Sequence, residues 1–337
     1  MTRTHWPSRI AMILAISLLL LLTALAAAVV WGGPRPMAPL ASINAPFAKV
    51  DFSDVPPPRH FTARDGARLA WLFYPAIRSP GDRATQPRRV VLVHGSSARA
   101  RSMHVLAKGL AQAGFDVAAL DMRGHGDSGP RGHIAYLGQL EDDVEDFMRA
   151  EPAAGPDTLM GFSSGGGFVL RLAGGTRQKL FDRYVLLSPF LHHSAPTNRP
   201  NNGGWVSVGL PRLIALSILN RVGITAWNNL SVLRFGLNDV ARESLTTRYD
   251  YTLATAFRPR DDYRADIRNA PPALRIVAGR DDELFDASGF AGVFSSAGKT
   301  VPVTLVDGVN HMGLTLDARA LPAIVAAVRD GAAPDPR

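Results

Sequence analysis

The chain of 337 residues contains no cysteine. That absence excludes a disulfide framework, a thiolate nucleophile, an iron–sulfur cluster and any zinc site built on sulfur, and it leaves the redox compartment open. Lysine is scarce. Lys49, Lys108, Lys179 and Lys299 are the only four, so the excess of 37 basic over 29 acidic residues, a net charge of +8, is carried by arginine. No basic run exceeds the Arg88-Arg89 pair, and no nucleic-acid motif accompanies the charge. The basic excess is read as a scattered, solvated surface, with no nucleic-acid partner. With 46% hydrophobic and 20% charged residues, wholesale disorder is excluded as well.

Acidic residues are missing from the start of the chain; the first is Asp51. What stands there instead is Ile10 to Val30, IAMILAISLLLLLTALAAAVV, in which only Ser17 and Thr23 are polar. As a helix this stretch reaches about 32 Å, enough to cross the hydrocarbon core of a bilayer. Arg3 and Arg9 precede it, so the positive-inside rule keeps the N-terminus in the cytoplasm and exports the rest. Two fates fit: an uncleaved anchor, which the length favours, or a cleaved signal peptide, for which Ala24-Leu25-Ala26 and Ala26-Ala27-Ala28 are candidate sites. Residues 1–33 are taken as this segment, and the proline-rich residues 34–58 as an extended linker.

After Arg59 the pattern alternates. His60–Ala76 has period-two apolar spacing around Asp65-Gly66, a hairpin signal. Short apolar runs of the buried-strand kind follow at Val90–His94, Val117–Asp121, Thr158–Phe162, Tyr184–Ser188, Leu274–Ala278 and Val301–Val306. Between most of them lie helical periodicities at Ser102–Ala113, Ile134–Ala150, Ser164–Ala173, Ala287–Ala297 and Asp317–Asp330. This alternation predicts an α/β fold with a mostly parallel sheet and helices on both faces. From Leu191 to Pro272 there is no clear strand, and Pro211–Ile224 is apolar and helical in pattern. That interval is read as a cap or lid insertion, 191–272, splitting the α/β core into 59–190 and 273–337. Its apolar helix could pack as cap core, line an acyl pocket or touch a membrane.

The chemistry is carried by Thr158–Gly167, TLMGFSSGGG, a strand running into a helix through G-x-S-x-G. Such a turn lifts Ser163 above the sheet and needs small neighbours where the backbone crowds. Ser164 fails as a nucleophile because Phe162 stands where an upstream glycine is required. A serine hydroxyl needs a base, and the base an orienting carboxylate; here the chain order should be Ser, then Asp or Glu, then His. Asp282 follows the strand Leu274–Ala278, and His311 follows Val301–Val306. Among the neighbouring acids Asp282 is preferred to Asp281 and Glu283. The oxyanion hole is assigned to the backbone N–H groups of Ser164 and of Ser96, in the turn His94-Gly95-Ser96-Ser97. His94, His125 and His133 are read as loop-structuring. His192-His193 is not read as a metal pair, since adjacent side chains should point apart and no carboxylate cluster accompanies them. No metal or organic cofactor is called for, and Gly165-Gly166-Gly167 lacks the dinucleotide spacing.

Val91-Leu92-Val93-His94-Gly95, Asp121-Met122-Arg123-Gly124-His125-Gly126-Asp127-Ser128, Gly161-Phe162-Ser163-Ser164-Gly165-Gly166, Gly279 with Asp282, and His311 stand in that order. As a set they resemble the α/β-hydrolase fold. Within it the chain is similar to the serine aminopeptidase/monoacylglycerol lipase-like, or lysophospholipase-like, family, from roughly Phe61 to Val328 and most weakly across the insertion. The specific part is the D-x-R-G-H-G-x-S stretch with Arg131-Gly132 and the acidic helix Glu141–Asp146. The resemblance implies hydrolysis of carboxylic esters or amides.

The expectation is a serine esterase acting through an acyl-enzyme on a small-molecule, lipid-like ester of the monoacylglycerol or lysophospholipid type. It would sit on the outer face of the cytoplasmic membrane as a single-pass protein, or be secreted if cleaved. An aminopeptidase with the same triad is the alternative, with Asp239 or Glu243 gripping the substrate ammonium. A non-catalytic membrane-surface binding protein of the same fold is the second. Acyl length and oligomeric state stay open.

Overall fold

The computed structural model describes residues 6–78 and 88–329. Arg3, half of the basic flank, lies outside them. The apolar runs become strands: β1 (Arg59–Thr62), β2 (Arg68–Tyr74), β3 (Arg89–Val93), β4 (Asp116–Leu120), β5 (Asp157–Phe162) and β6 (Arg183–Leu187). The insertion adds β7 (Val206–Val208), β8 (Ser231–Phe235) and β9 (Arg248–Asp250), and the core closes with β10 (Leu274–Gly279) and β11 (Val303–Val306). Eight of these form one sheet in the order β1-β2-β4-β3-β5-β6-β10-β11. From β4 to β11 every pairing is parallel; β1 and β2 are the expected antiparallel hairpin, and β2 pairs antiparallel with β4. Gly66, at φ 83°, takes the left-handed position of its turn at no steric cost.

The helices are α1 (Trp6–Trp31), the single turn α2 (Ala41–Asn44), α3 (His104–Gln112), α4 (Gln139–Ala150), α5 (Ser164–Ala173) and α6 (Leu210–Arg221). They continue with α7 (Asp239–Ser244), α8 (Tyr251–Ala256), α9 (Tyr263–Asn269), α10 (Phe290–Ser296), α11 (Gly313–Leu316) and α12 (Leu321–Arg329). Every residue of β3, β5 and β6 is buried, so both faces of the sheet are covered, as parallel strands require. Each fully buried Leu, Val or Phe of that core contributes roughly 1.5–3 kcal/mol. From β3 the chain steps to β4 on one side and to β5 on the other, and at such a reversal the carboxyl ends of the strands part to leave a crevice.

The acidic helix α4 is a fastening. Glu141, Asp143 and Asp146 are buried on it and meet Arg171, Arg123 and Arg64. Arg123 holds Asp143 through two bonds of 2.8 and 2.7 Å. The arginine of the D-x-R-G-H-G stretch is thus a paired, buried cation that locks this loop to the helix.

The insertion departs from expectation. Its interval holds a three-stranded antiparallel sheet, β7-β8-β9. The strands are three to five residues long and carry polar or charged residues such as Ser207, Arg234 and Arg248. They lack the apolar runs by which the core strands are recognised.

At the N-terminus α1 runs 26 residues. Its stretch Arg9–Trp31 has a mean hydropathy of 2.9 and is 6% buried, which fits a membrane anchor or a signal sequence alike. The stretch expected as an extended linker coils into α2 and a 3-10 turn at Ala45–Lys49. Asn44 ties it to the insertion: its Nδ2 donates to Gly236 O at 2.8 Å and its Oδ1 accepts Asn238 N–H at 3.0 Å.

Candidate active site

Ser163 sits between β5 and α5 at φ 56° and ψ −120°, a backbone state that costs ~1–3 kcal/mol for a residue with a side chain. Its surroundings impose that state. Ser163 N–H donates to Leu187 O at 2.9 Å, and its carbonyl accepts from Gly167 N–H and Phe190 N–H. The flanking glycines are required by close approach: a Cβ on Gly161 would lie 2.2 Å from Gly165 O, and one on Gly165 would lie 2.3 Å from His94 O.

Asp282 and His311 arrive from the turns after β10 and β11. His311 Nδ1 lies 2.8 Å from Asp282 Oδ2, with both side chains almost completely buried. Asp282 Oδ1 accepts the N–H groups of Leu284 and Phe285 at 2.8 and 2.9 Å. Burial works against the Asp282 carboxylate, but the charge and hydrogen bond of His311, with the Phe285 N–H, outweigh it and hold the carboxyl below its ordinary range. The neighbouring acids do other work. Glu283 accepts the His311 backbone N–H at 3.0 Å, and Asp281 is exposed.

The turn His94-Gly95-Ser96-Ser97 lies directly against Ser163; a Cβ on Gly95 would touch Ser163 Cβ at 3.4 Å. His94 is fully buried, with Nδ1 on Gly95 O at 2.8 Å and Nε2 accepting Met122 N–H at 3.2 Å. This pattern braces the turn and leaves neither ring nitrogen toward the cavity. Desolvation pushes the ring down to about 4. The insertion pins the same turn. Trp205 Nε1 donates to Ser96 Oγ at 2.8 Å, Ser97 N–H donates to Tyr249 Oη at 2.6 Å, and Ser97 Oγ donates to Thr246 O at 2.7 Å. His125 serves this network through Tyr249 Oη, 2.5 Å away, and His133 pairs with Asp250. Trp205, Thr246 and Tyr249 carry no motif in the sequence. Only the folded insertion brings them to a turn 109 to 152 residues earlier.

Ser163 and His311 face one cavity of about 370 Å³, together with the Ser96 turn. Its other walls are mostly apolar: Trp205, Leu237 and Leu245 from the insertion, Met312 from the core, and Ile43 and Phe47 from the N-terminal stretch. The size suits one chain-like or ring-bearing small molecule. Asp239 and Glu243 are not among the lining residues; Asp239 is exposed and paired with Arg242. His192 and His193 do not diverge as adjacent residues on a strand would, because they lie in a turn. Their rings are 4.0 Å apart, and His192 Nδ1 bonds Ser194 Oγ. Among the described residues no cluster of three metal-ligating side chains is present.

Residues 85–315 match the family described as "Serine aminopeptidase, S33". A monoacylglycerol lipase of Mycolicibacterium smegmatis is 41% identical over 92 residues, covering 25% of this chain and 32% of that relative, so the match spans about a third of its length. Among solved structures, a soluble variant of the Saccharomyces cerevisiae monoglyceride lipase superposes with a TM-score of 0.61 at 19% identity, covering 83% of this chain and 96% of that one. A membrane phospholipase A described as a bacterial virulence factor gives 0.54 at 15% identity, covering 97% and 98%. At such identities these likenesses speak for the fold.

Proposed function

Because the chain belongs to the serine aminopeptidase S33 family of α/β hydrolases, we propose that it is a serine hydrolase that cleaves lipid-like carboxylic esters through an acyl-enzyme. The observation that carries this reading is the placement of Ser163 and the Asp282-oriented His311 on the floor of a mostly apolar cavity. Ser163 Oγ attacks the ester carbonyl and gives its proton to His311 Nε2. Asp282, through Nδ1, fixes the tautomer that makes Nε2 the base and stabilises the imidazolium. The N–H groups of Ser96 and Ser164 receive the charge that develops on the carbonyl oxygen. His311 then protonates the leaving alcohol and deprotonates the water that releases the acid. The insertion 191–272 acts as the cap, and α1 as an anchor that presents the cavity to membrane lipids.

An aminopeptidase would need a group for the substrate ammonium. The cap carboxylates weighed for that role, Asp239 and Glu243, do not line the cavity. In purified full-length protein, Ser163→Ala should fold, yet lose both hydrolysis of p-nitrophenyl esters and labelling by a fluorophosphonate. Persistent hydrolysis in that variant overturns the mechanism. A panel of monoacylglycerols, lysophospholipids and aminoacyl amides tests the substrate class, and a preference for the amides overturns the ester reading.

A further inference from the structure

The cap and the N-terminal helix are joined where α1 ends. Leu25, Ala28 and Val29 pack against the protein core, and α1 runs alongside α6. Arg212, in the first turn of α6, donates from Nε to Val29 O at 2.7 Å and from Nη2 to Val30 O at 2.8 Å. Its Nη1 reaches Ser231 O on β8 at 2.8 Å. One guanidinium therefore satisfies the last carbonyls of α1, which have no partner within their own helix, and ties them to the cap sheet. Glycines allow the backbones to meet: a Cβ on Gly209 would lie 2.7 Å from Gly32 O, and one on Gly32 would lie 2.7 Å from Arg212 N.

The outer face of α6 is apolar and uncovered. Leu210, Ile214 and Ile218, with Val222 just past the end of the helix, recur every fourth residue and are 46–70% exposed, with Ile224 and Trp227 following. This stripe continues the exposed apolar surface of α1. The residues of α1 leave no slack: the uncharged run Ile10–Val30 is about as long as a hydrocarbon core is thick. If it spans, its last two turns lie at the outer boundary of that core, and α6, clamped to those turns, lies at the same depth. Leu216 and Leu219, on the opposite face of α6, are buried in the protein, so the stripe points outward, toward lipid at that depth.

We propose that α6 is a second membrane contact, seated in the outer leaflet of the bilayer that α1 crosses and held at that depth by Arg212. The inference rests on the anchoring proposed above. The absence of cysteine makes the test direct. Nitroxide labels are placed singly at Ile214→Cys, Ile218→Cys and Val222→Cys in the full chain, with Ile13→Cys and Asp239→Cys as references. The protein is reconstituted in phosphatidylcholine–phosphatidylglycerol vesicles, and labelling by fluorophosphonate reports that each variant is folded. Labels at 214, 218 and 222 should favour collision with oxygen over a water-soluble nickel chelate, as the label at 13 does and the one at 239 does not. In an Arg212→Gln background, the label at 214 should shift toward the nickel chelate while the one at 13 stays. Labels at 214, 218 and 222 that behave like the one at 239, with 13 still in lipid, overturn the seat and spare the anchor. A label at 13 that is itself accessible to nickel overturns both. Broadening at 214 and 218 that disappears on dilution with unlabelled protein overturns the lipid contact in favour of a second copy of the chain.

Discussion

Asp282 divides its two oxygens. One takes two backbone N–H groups, and the other takes His311 Nδ1. Replacing it with asparagine preserves an oxygen for the backbone but presents an N–H₂ to the histidine, which forces the wrong tautomer. Asp282→Asn should lower kcat by about 10⁴ with little change in thermal stability, read by steady-state hydrolysis and a melting curve. That Ser163, Asp282 and His311 follow three strands in that chain order is legible in the sequence, and the structure pairs Asp282 with His311 and sets His311 and Ser163 on one cavity. Glu283 was legible only as a rival carboxylate. Its bond to the His311 backbone depends on how one loop folds over another, which spacing cannot reveal. Tyr249 was not legible at all. Removing its hydroxyl strands Ser97 N–H, the brace of the turn that carries the proposed oxyanion donor. Tyr249→Phe should therefore cost about tenfold in kcat at near-constant KM, less than the roughly 10²–10³ of deleting a donor outright.

Among the elements, the core strands announce themselves as short, largely apolar runs, whereas the strands of the insertion are too short and polar to do so. The stretch between α1 and β1 shows the limit of composition most clearly. Its prolines suggest an extended tether, yet proline also suits the start of a 3-10 turn (Pro46 is in one), and Asn44, just before that turn, fastens it to the insertion. The turn then supplies Phe47 to the cavity, and α2 supplies Ile43. Phe47→Ala enlarges that wall, so the preferred acyl chain of p-nitrophenyl esters should lengthen by several carbons. An unchanged chain-length profile would show that the wall plays no part in selectivity. A further expectation attaches to the elbow: with His94 O only 2.3 Å from a Cβ at position 165, Gly165→Ala should lose both solubility and activity, since neither backbone has room to retreat.

For the molecule as a whole, acid is the natural threat. His94 is fully buried and neutral, pushed down to about 4 by desolvation, and His125 moves the same way. On acidification the unfolded chain takes up these protons near pH 6.5, while the folded chain refuses them. The stability they permit is thus complete above pH 6.5 and drains away as pH falls toward 4. Asp121 and Asp143, raised by burial, act in the opposite sense nearer the carboxylate range. The histidine effect is therefore read most cleanly between pH 7.5 and about 5.5, where the Tm of the detergent-solubilised full chain should hold at first and then fall once the pH drops below about 6.5. A flat Tm across that interval would remove the histidines from the account.

The joint at Arg212 has a kinetic consequence. A catalytic domain on a slack tether tumbles and samples substrate from the surrounding volume. One bolted to its anchor, as proposed above for this chain, travels in a plane with its opening at a fixed height and tilt. Its turnover is then governed by how many substrate molecules occupy each unit of bilayer area. Adding inert lipid, with total substrate and protein held constant, should slow the reaction in proportion to the dilution of the surface.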